Sequence, residues 1–135
     1  MPEWVIRDKL ARWCRPGYSG ENSAPVLRAS VDQWLAAVKG FGVHSVICLL
    51  ADGHLALYDD LPGGLVHYYE AAGLHVAHVP ARDHKSPPLS SDQLEAAWRH
   101  YQRLAKPVLV HCSAGVDRTG AAVAYITAKL RDELS

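Results

Sequence analysis

The sequence predicts an α/β fold, one domain over residues 1–135 with a mainly parallel central sheet flanked by helices. Three observations carry this. Short β-rich runs alternate with segments of helical apolar periodicity, two of those segments contain capping-box spacing, and Gly40, Gly53, Gly73, Pro80 and Pro107 punctuate them. Alternating strands and helices imply crossover connections, and crossovers are what make a sheet parallel.

Trp4-Val5-Ile6 and Leu10-Ala11-Arg12 suit a small edge hairpin in an otherwise aperiodic stretch up to residue 29. Ser30-Val31-Asp32-Gln33 has the Ser-x-x-Gln form, after which Val31, Trp34, Leu35 and Val38 recur at i, i+3, i+4 and i+7 before Gly40, so a helix with one apolar face is expected. Residues 43–50 read as a strand broken by Ala51-Asp52-Gly53. A second helix over 65–72 stops at Gly73, and a second strand over 74–79 ends at Pro80. Ser90-Ser91-Asp92-Gln93 offers another capping box, with Leu94, Ala97, Trp98 and Tyr101 forming a face that runs to Lys106. Pro107 restarts the chain as a strand over 108–111, and 118–130, apolar on nearly every side at first, suits a helix buried against the sheet.

A chain of 135 residues, 49% hydrophobic, with 14 Lys+Arg against 14 Asp+Glu, has material for a real core and is not disordered. The zero net charge argues against a nucleic-acid binder, so any anion site must be local. No apolar run approaches the roughly 20 residues that span a bilayer. The charges of Glu3, Arg7, Asp8 and Lys9 argue against a secretory leader, and a reducing cytoplasm is expected. Cys14, Cys48 and Cys112 form neither a disulfide scaffold nor a zinc pattern. His75 and His78, three apart on a strand, point to opposite faces and cannot chelate together, so neither metal nor cofactor is expected.

In parallel sheets ligands gather at the carboxyl ends of the strands, which directs attention to the turn after 108–111. It reads His111-Cys112-Ser113-Ala114-Gly115-Val116-Asp117-Arg118-Thr119-Gly120. This decapeptide resembles the His-Cys-x5-Arg-Thr/Ser signature of the cysteine-based protein tyrosine phosphatases, and the short chain and its element order resemble their small dual-specificity branch. A chance match at these offsets has a frequency on the order of one in ten thousand.

The residue types suit the chemistry. A loop that leaves a strand and enters a helix aims successive N–H groups at one spot, where the helix dipole adds positive charge. A free thiol titrates near ~8.5, and such surroundings lower that value, so Cys112 is expected to be the thiolate nucleophile. The planar fork of Arg118 can donate two hydrogen bonds to phosphate oxygens, joined by the backbone N–H groups of Ser113, Ala114, Gly115, Val116, Asp117 and Arg118 itself. Gly115 allows a backbone conformation closed to residues with a Cβ. Thr119 could donate to the sulfur as it departs, and His111 could orient the loop through backbone hydrogen bonds. Asp117 lies beside the expected dianion and reads as a helix-start carboxylate whose side chain points away.

A leaving oxygen needs a proton, and the resemblance implies an Asp on the loop after the second strand. Asp83, 29 residues before Cys112 (112 − 83), holds that place, with Arg82 and Lys85 beside it and His84 as a substitute. Asp59, Asp60 and Asp92 read as turn or helix-start residues. Cys48 reads as a buried apolar residue, although some relatives protect the nucleophile with a disulfide from a neighbouring strand.

The resemblance thus implies a cysteine-dependent phosphomonoester hydrolase acting on phosphotyrosine, and on phosphoserine or phosphothreonine, in proteins or on a small aryl phosphate. Two alternatives remain: a phosphatase of phosphoinositides or other small phosphomonoesters, and a phosphate-reading module without turnover. Ser113, Ala114 and Val116 lack the lysines common in this loop of inositol phosphatases. Only 23 residues follow Cys112 (135 − 112), so apolar surface beside 121–126 is expected to need cover from an N-terminal segment or a homodimer.

Overall fold

The computed structural model describes residues 1–20 and 23–134. An N-terminal hairpin, β1 (Glu3–Ile6) and β2 (Leu10–Trp13), precedes α1 (Arg28–Gly40) and β3 (Ser45–Leu50). Then come a short α2 (Asp52–Leu55), a 3-10 turn (Ala56–Tyr58), α3 (Gly64–Ala71) and β4 (His75–Ala81). The chain continues through α4 (Ser91–Arg103), β5 (Val108–His111) and α5 (Asp117–Leu134). The sheet order is β1-β2-β5-β3-β4, antiparallel between β1 and β2 and parallel in the other three pairings. This is the α/β architecture expected.

Both faces of the sheet are covered, which is why every residue of β3 and β5 is buried rather than alternate ones. On one face Ile47, Leu49, Val108 and Val110 meet Ala97, Trp98, Val123 and Ile126 of α4 and α5. On the other, Val46, Cys48, Leu50 and Leu109 meet Val31, Trp34 and Leu35 of α1 and Tyr69 of α3. The apolar face at 121–126 is covered within the chain: α4 and α5 pack together, Tyr125 donates to Glu95 Oε2 at 2.8 Å, and Val5 and Ile6 of the hairpin lie against the same core. The N-terminal segment therefore supplies part of the cover expected from it.

The hairpin forms at the sheet edge as expected, with β1 outermost and β2 joining the sheet beside β5. Several other local expectations are corrected. Helix α1 begins at Arg28, and the first capping box does not form; its cap comes from a distant residue, with Arg28 N donating to Asp60 Oδ2 at 2.8 Å. Strand β4 runs through Pro80 to Ala81, which an edge strand tolerates because a proline there need not donate to a neighbour. The stretch after β3 turns into α2 and the 3-10 turn rather than staying a simple break. The second capping box forms as expected: Gln93 N donates to Ser90 Oγ at 3.1 Å, and Ser90 N to Gln93 Oε1 at 2.8 Å. Helix α4 ends at Arg103, short of Lys106, whose ammonium instead donates to the carbonyls of Tyr101 and Leu104.

Candidate active site

The decapeptide lies where expected, leaving β5 at His111 and entering α5 at Asp117. The loop must turn over the end of β2, and Gly115 allows this at φ +81°. A Cβ there would stand 2.5 Å from Trp13 O and 2.9 Å from Cys14 N, so both the conformation and the close approach require glycine.

The carbonyls of the loop are held from outside. The ring of His111 contacts Cys112 O through Nδ1 at 3.0 Å, Arg15 N donates to Ser113 O at 2.9 Å, and Arg12 Nη2 donates to Gly115 O at 2.8 Å and to Val116 O at 3.3 Å. In a trans peptide the following N–H points opposite to the carbonyl, so the N–H groups of Ser113, Ala114, Val116 and Asp117 turn to the other side. On that side lies a cavity of about 100 Å³ lined by Cys112, Asp83, His84 and Tyr18 together with these same loop residues. Four of the six amides in the Ser113–Arg118 stretch are thereby oriented by bonds to the carbonyl of their own peptide.

His111 is fully buried, and burial before all else pushes its pKa down to about 4. The ring is neutral at pH 7. Because a carbonyl can only accept, Nδ1 carries the proton, and Nε2 accepts from Tyr69 OH at 3.0 Å. Trp34 packs edge-on against this ring and donates from Nε1 to Cys14 O at 2.9 Å. The ring of His111 thus joins the Cys112 carbonyl on one side to the Tyr69 hydroxyl on the other.

Arg118 is 2% exposed. Its Nη1 donates to Ala81 O at 2.7 Å and contacts Leu49 O at 3.5 Å, tying the guanidinium to the ends of β4 and β3, while Nη2 faces Asp83 Oδ1 at 3.5 Å. Arg118 Nε and Thr119 Oγ1 are buried without a hydrogen-bond partner. A buried donor left unpaired costs on the order of 1–3 kcal/mol, and a donor beside a cysteine and a ring of amides is suited to an oxyanion.

Asp83 lies on the segment after β4, as the resemblance implied, and its carboxylate also accepts from His84 N at 3.0 Å and meets the His84 ring at 3.5 Å. His84 has φ +55°, a conformation uncommon for a residue with a side chain. Asp117 opens α5, is exposed and lines the cavity, so it stands at the mouth rather than turned wholly away. Cys48 sits opposite His111 in the β3–β5 register within the core on the α1 side, whereas Cys112 belongs to the core on the α5 side. Burial pushes the Cys48 thiol up to about 12. Arg82 and Lys85 line a second hollow of about 440 Å³ that does not include Cys112.

Sequence reasoning missed Arg12, Arg15, Tyr18, Tyr58 and Tyr69, all of which touch the loop, its supports or its cavity. No local motif marks them. His54 of α2 also faces this region, its pKa lowered by burial and then by the charges of Arg118 and Arg15.

A parallel sheet delivering a cysteine loop into a helix, with a buried arginine six residues on, defines the cysteine-based protein tyrosine phosphatase class. The family model for the DSP-PTPase phosphatases of polymorphic toxin systems matches residues 23–130, and the chain belongs to that family. Over 66 residues the chain is 33% identical to the dual specificity protein phosphatase OPG106 of Vaccinia virus (strain Western Reserve), a match spanning 47% of this chain and 39% of the viral protein. Among solved structures, Tk-PTP in its active form gives a TM-score of 0.63 at 23% identity over 98% of this chain and 79% of its own. The core catalytic domain of the PP-IP phosphatase SIW14 from S. cerevisiae, in complex with citrate, gives 0.62 at 18% identity over 97% and 66%. These two likenesses establish the fold.

Proposed function

We propose that this chain hydrolyses phosphomonoesters through a cysteinyl-phosphate intermediate. The observation that carries the reading is the buried Arg118, whose Nε has no hydrogen-bond partner, lining one small cavity together with Cys112 and the loop that follows it. The Cys112 sulfur attacks phosphorus, and the ester oxygen leaves with a proton from Asp83. Arg118 and the amides of Ser113, Ala114, Val116 and Asp117 hold the equatorial oxygens as their charge builds. Water, activated by the Asp83 carboxylate, then attacks the thiophosphate, releasing inorganic phosphate and the thiolate, to which the Thr119 hydroxyl donates as it departs.

Substrates are phosphotyrosine-bearing or dually phosphorylated proteins and small aryl phosphates. In support, no lysine projects from Ser113, Ala114 or Val116, and the cavity is narrow and walled on one side by the Tyr18 ring. A polyphosphorylated small molecule is the second reading, favoured by Arg82 and Lys85 around the neighbouring hollow. The toxin-system setting of the family belongs to the proposal, as does a reducing cytoplasm in which the free thiols Cys14, Cys48 and Cys112 persist. Among the described residues no helix is long and apolar enough to cross a membrane.

The test is turnover of p-nitrophenyl phosphate by the wild type and Cys112→Ser. Activity that survives a chelator and disappears in the variant is the expected result. Unchanged hydrolysis in Cys112→Ser refutes the mechanism.

A further inference from the structure

Beside the cavity lies a second buried guanidinium that the mechanism above does not use. Arg15, 1% exposed, follows β2 and precedes the first residue matched by the family model. Its Nε donates to Ser113 Oγ at 3.1 Å and its Nη1 to Tyr58 OH at 3.1 Å, while Tyr58 OH in turn donates to Pro16 O at 2.6 Å. The backbone N–H of the same residue holds Ser113 O at 2.9 Å. Arg15 thus grips the residue after the nucleophile at two points, carbonyl and hydroxyl.

We propose that Arg15 is a positioning residue for the oxyanion cradle: its side chain sets the rotation of Ser113, and through it the aim of the Ala114 N–H beside Cys112. Ser113 O and the Ala114 N–H belong to one planar peptide, so turning one turns the other. The backbone bond from Arg15 N fixes one point of Ser113 and leaves rotation about it; the bond to Oγ removes that freedom. A guanidinium suits the task because its Nε and Nη1 bridge Ser113 and Tyr58 at once in a rigid plane, which an ammonium cannot do. Arg15 is buried and does not line the cavity beside Cys112. Misplacing a catalytic group by ~1 Å can cost about a hundredfold in rate, so a hydrogen bond that limits this rotation has kinetic weight.

This inference rests on the oxyanion-binding reading of the loop, and a double-mutant cycle tests it. Wild type, Arg15→Gln, Ser113→Ala and the double variant are compared by calorimetric tungstate affinity and by kcat for p-nitrophenyl phosphate. If Arg15 acts through Ser113, each single change costs about tenfold and the double costs little more than either. Arg15→Lys, which keeps the charge without the fork, does not restore the loss. Losses that multiply to about a hundredfold, or folded Arg15 variants with wild-type kcat and tungstate affinity, overturn the proposal. If Arg15→Gln does not fold, Ser113→Ala and Tyr58→Phe decide: wild-type values in both overturn it, and matched losses in both support it. A wild type that binds tungstate but hydrolyses no aryl phosphate defeats the phosphatase reading instead, and the cycle in tungstate affinity still judges Arg15.

Discussion

At Asp83 one carboxylate faces two nitrogen groups of different kinds, the Arg118 guanidinium through Nη2 at 3.5 Å and the exposed His84 ring at 3.5 Å. Removing its charge separates proton transfer from binding. Asp83→Asn is expected to slow phosphotyrosine hydrolysis by about a hundredfold, and p-nitrophenyl phosphate less, because nitrophenolate leaves without needing a proton. Tungstate affinity should stay level or rise, since a carboxylate no longer competes for Arg118. Equal losses on both substrates would move the proton donor elsewhere, with His84 the next candidate. The residues proposed to carry this chemistry, Cys112, Arg118 and Asp83, were legible in the sequence because the first two sit at a fixed spacing in one turn and the third on the loop after β4. Arg12, Arg15 and Tyr69 were not, because their roles depend on strand β2 and helix α3 being brought beside a loop roughly a hundred residues away for the arginines and forty-two for the tyrosine.

Among the elements, the Cys112 loop and helix α1 show two ways a distant part of the chain completes a local structure. The loop closes over the β2 end, and Gly115→Ala places a Cβ 2.5 Å from Trp13 O in a φ +81° conformation, with backbone on the opposing side that cannot swing away. We expect that variant to lose about 1–3 kcal/mol in urea denaturation and most of its tungstate affinity; a variant that binds as the wild type does would show the approach to be tolerated. Helix α1 takes its cap from Asp60, so Asp60→Ala should cost about 1 kcal/mol in the same measurement while leaving kcat unchanged. No loss would mean that solvent satisfies Arg28 N equally well. The Ser30 box could not reveal this. Capping spacing is local, and the choice between an internal Ser and an incoming Asp is made by how the segment after the 3-10 turn passes the helix start.

For the whole molecule the buried His111 couples stability to pH. Its pKa is about 4 folded against 6.5 in an unperturbed chain, so between those values the unfolded state binds the proton that the native state refuses. The contribution is complete above pH 6.5 and is lost as pH falls toward 4, a span of roughly 3 kcal/mol as an upper estimate. The urea midpoint should therefore fall between pH 7 and pH 4.5, and His111→Asn, which keeps a donor near Cys112 O without the titration, should flatten that slope. A slope unchanged in the variant would assign the acid sensitivity to other groups.

Periodicity, punctuation and the His111–Gly120 spacing determined the α/β class, the helix and strand order and the place of the Cys112 loop between β5 and α5, because these are properties of neighbours along the chain. Tertiary structure alone decided that the hairpin joins the sheet beside β5, that Pro80 lies inside an edge strand, that Asp60 caps α1, and that Arg12, Arg15 and Tyr69 brace the loop. The physical reason is common to all four: each satisfies or spares a backbone hydrogen bond through packing between segments far apart in sequence, and that pairing exists only once the chain has folded.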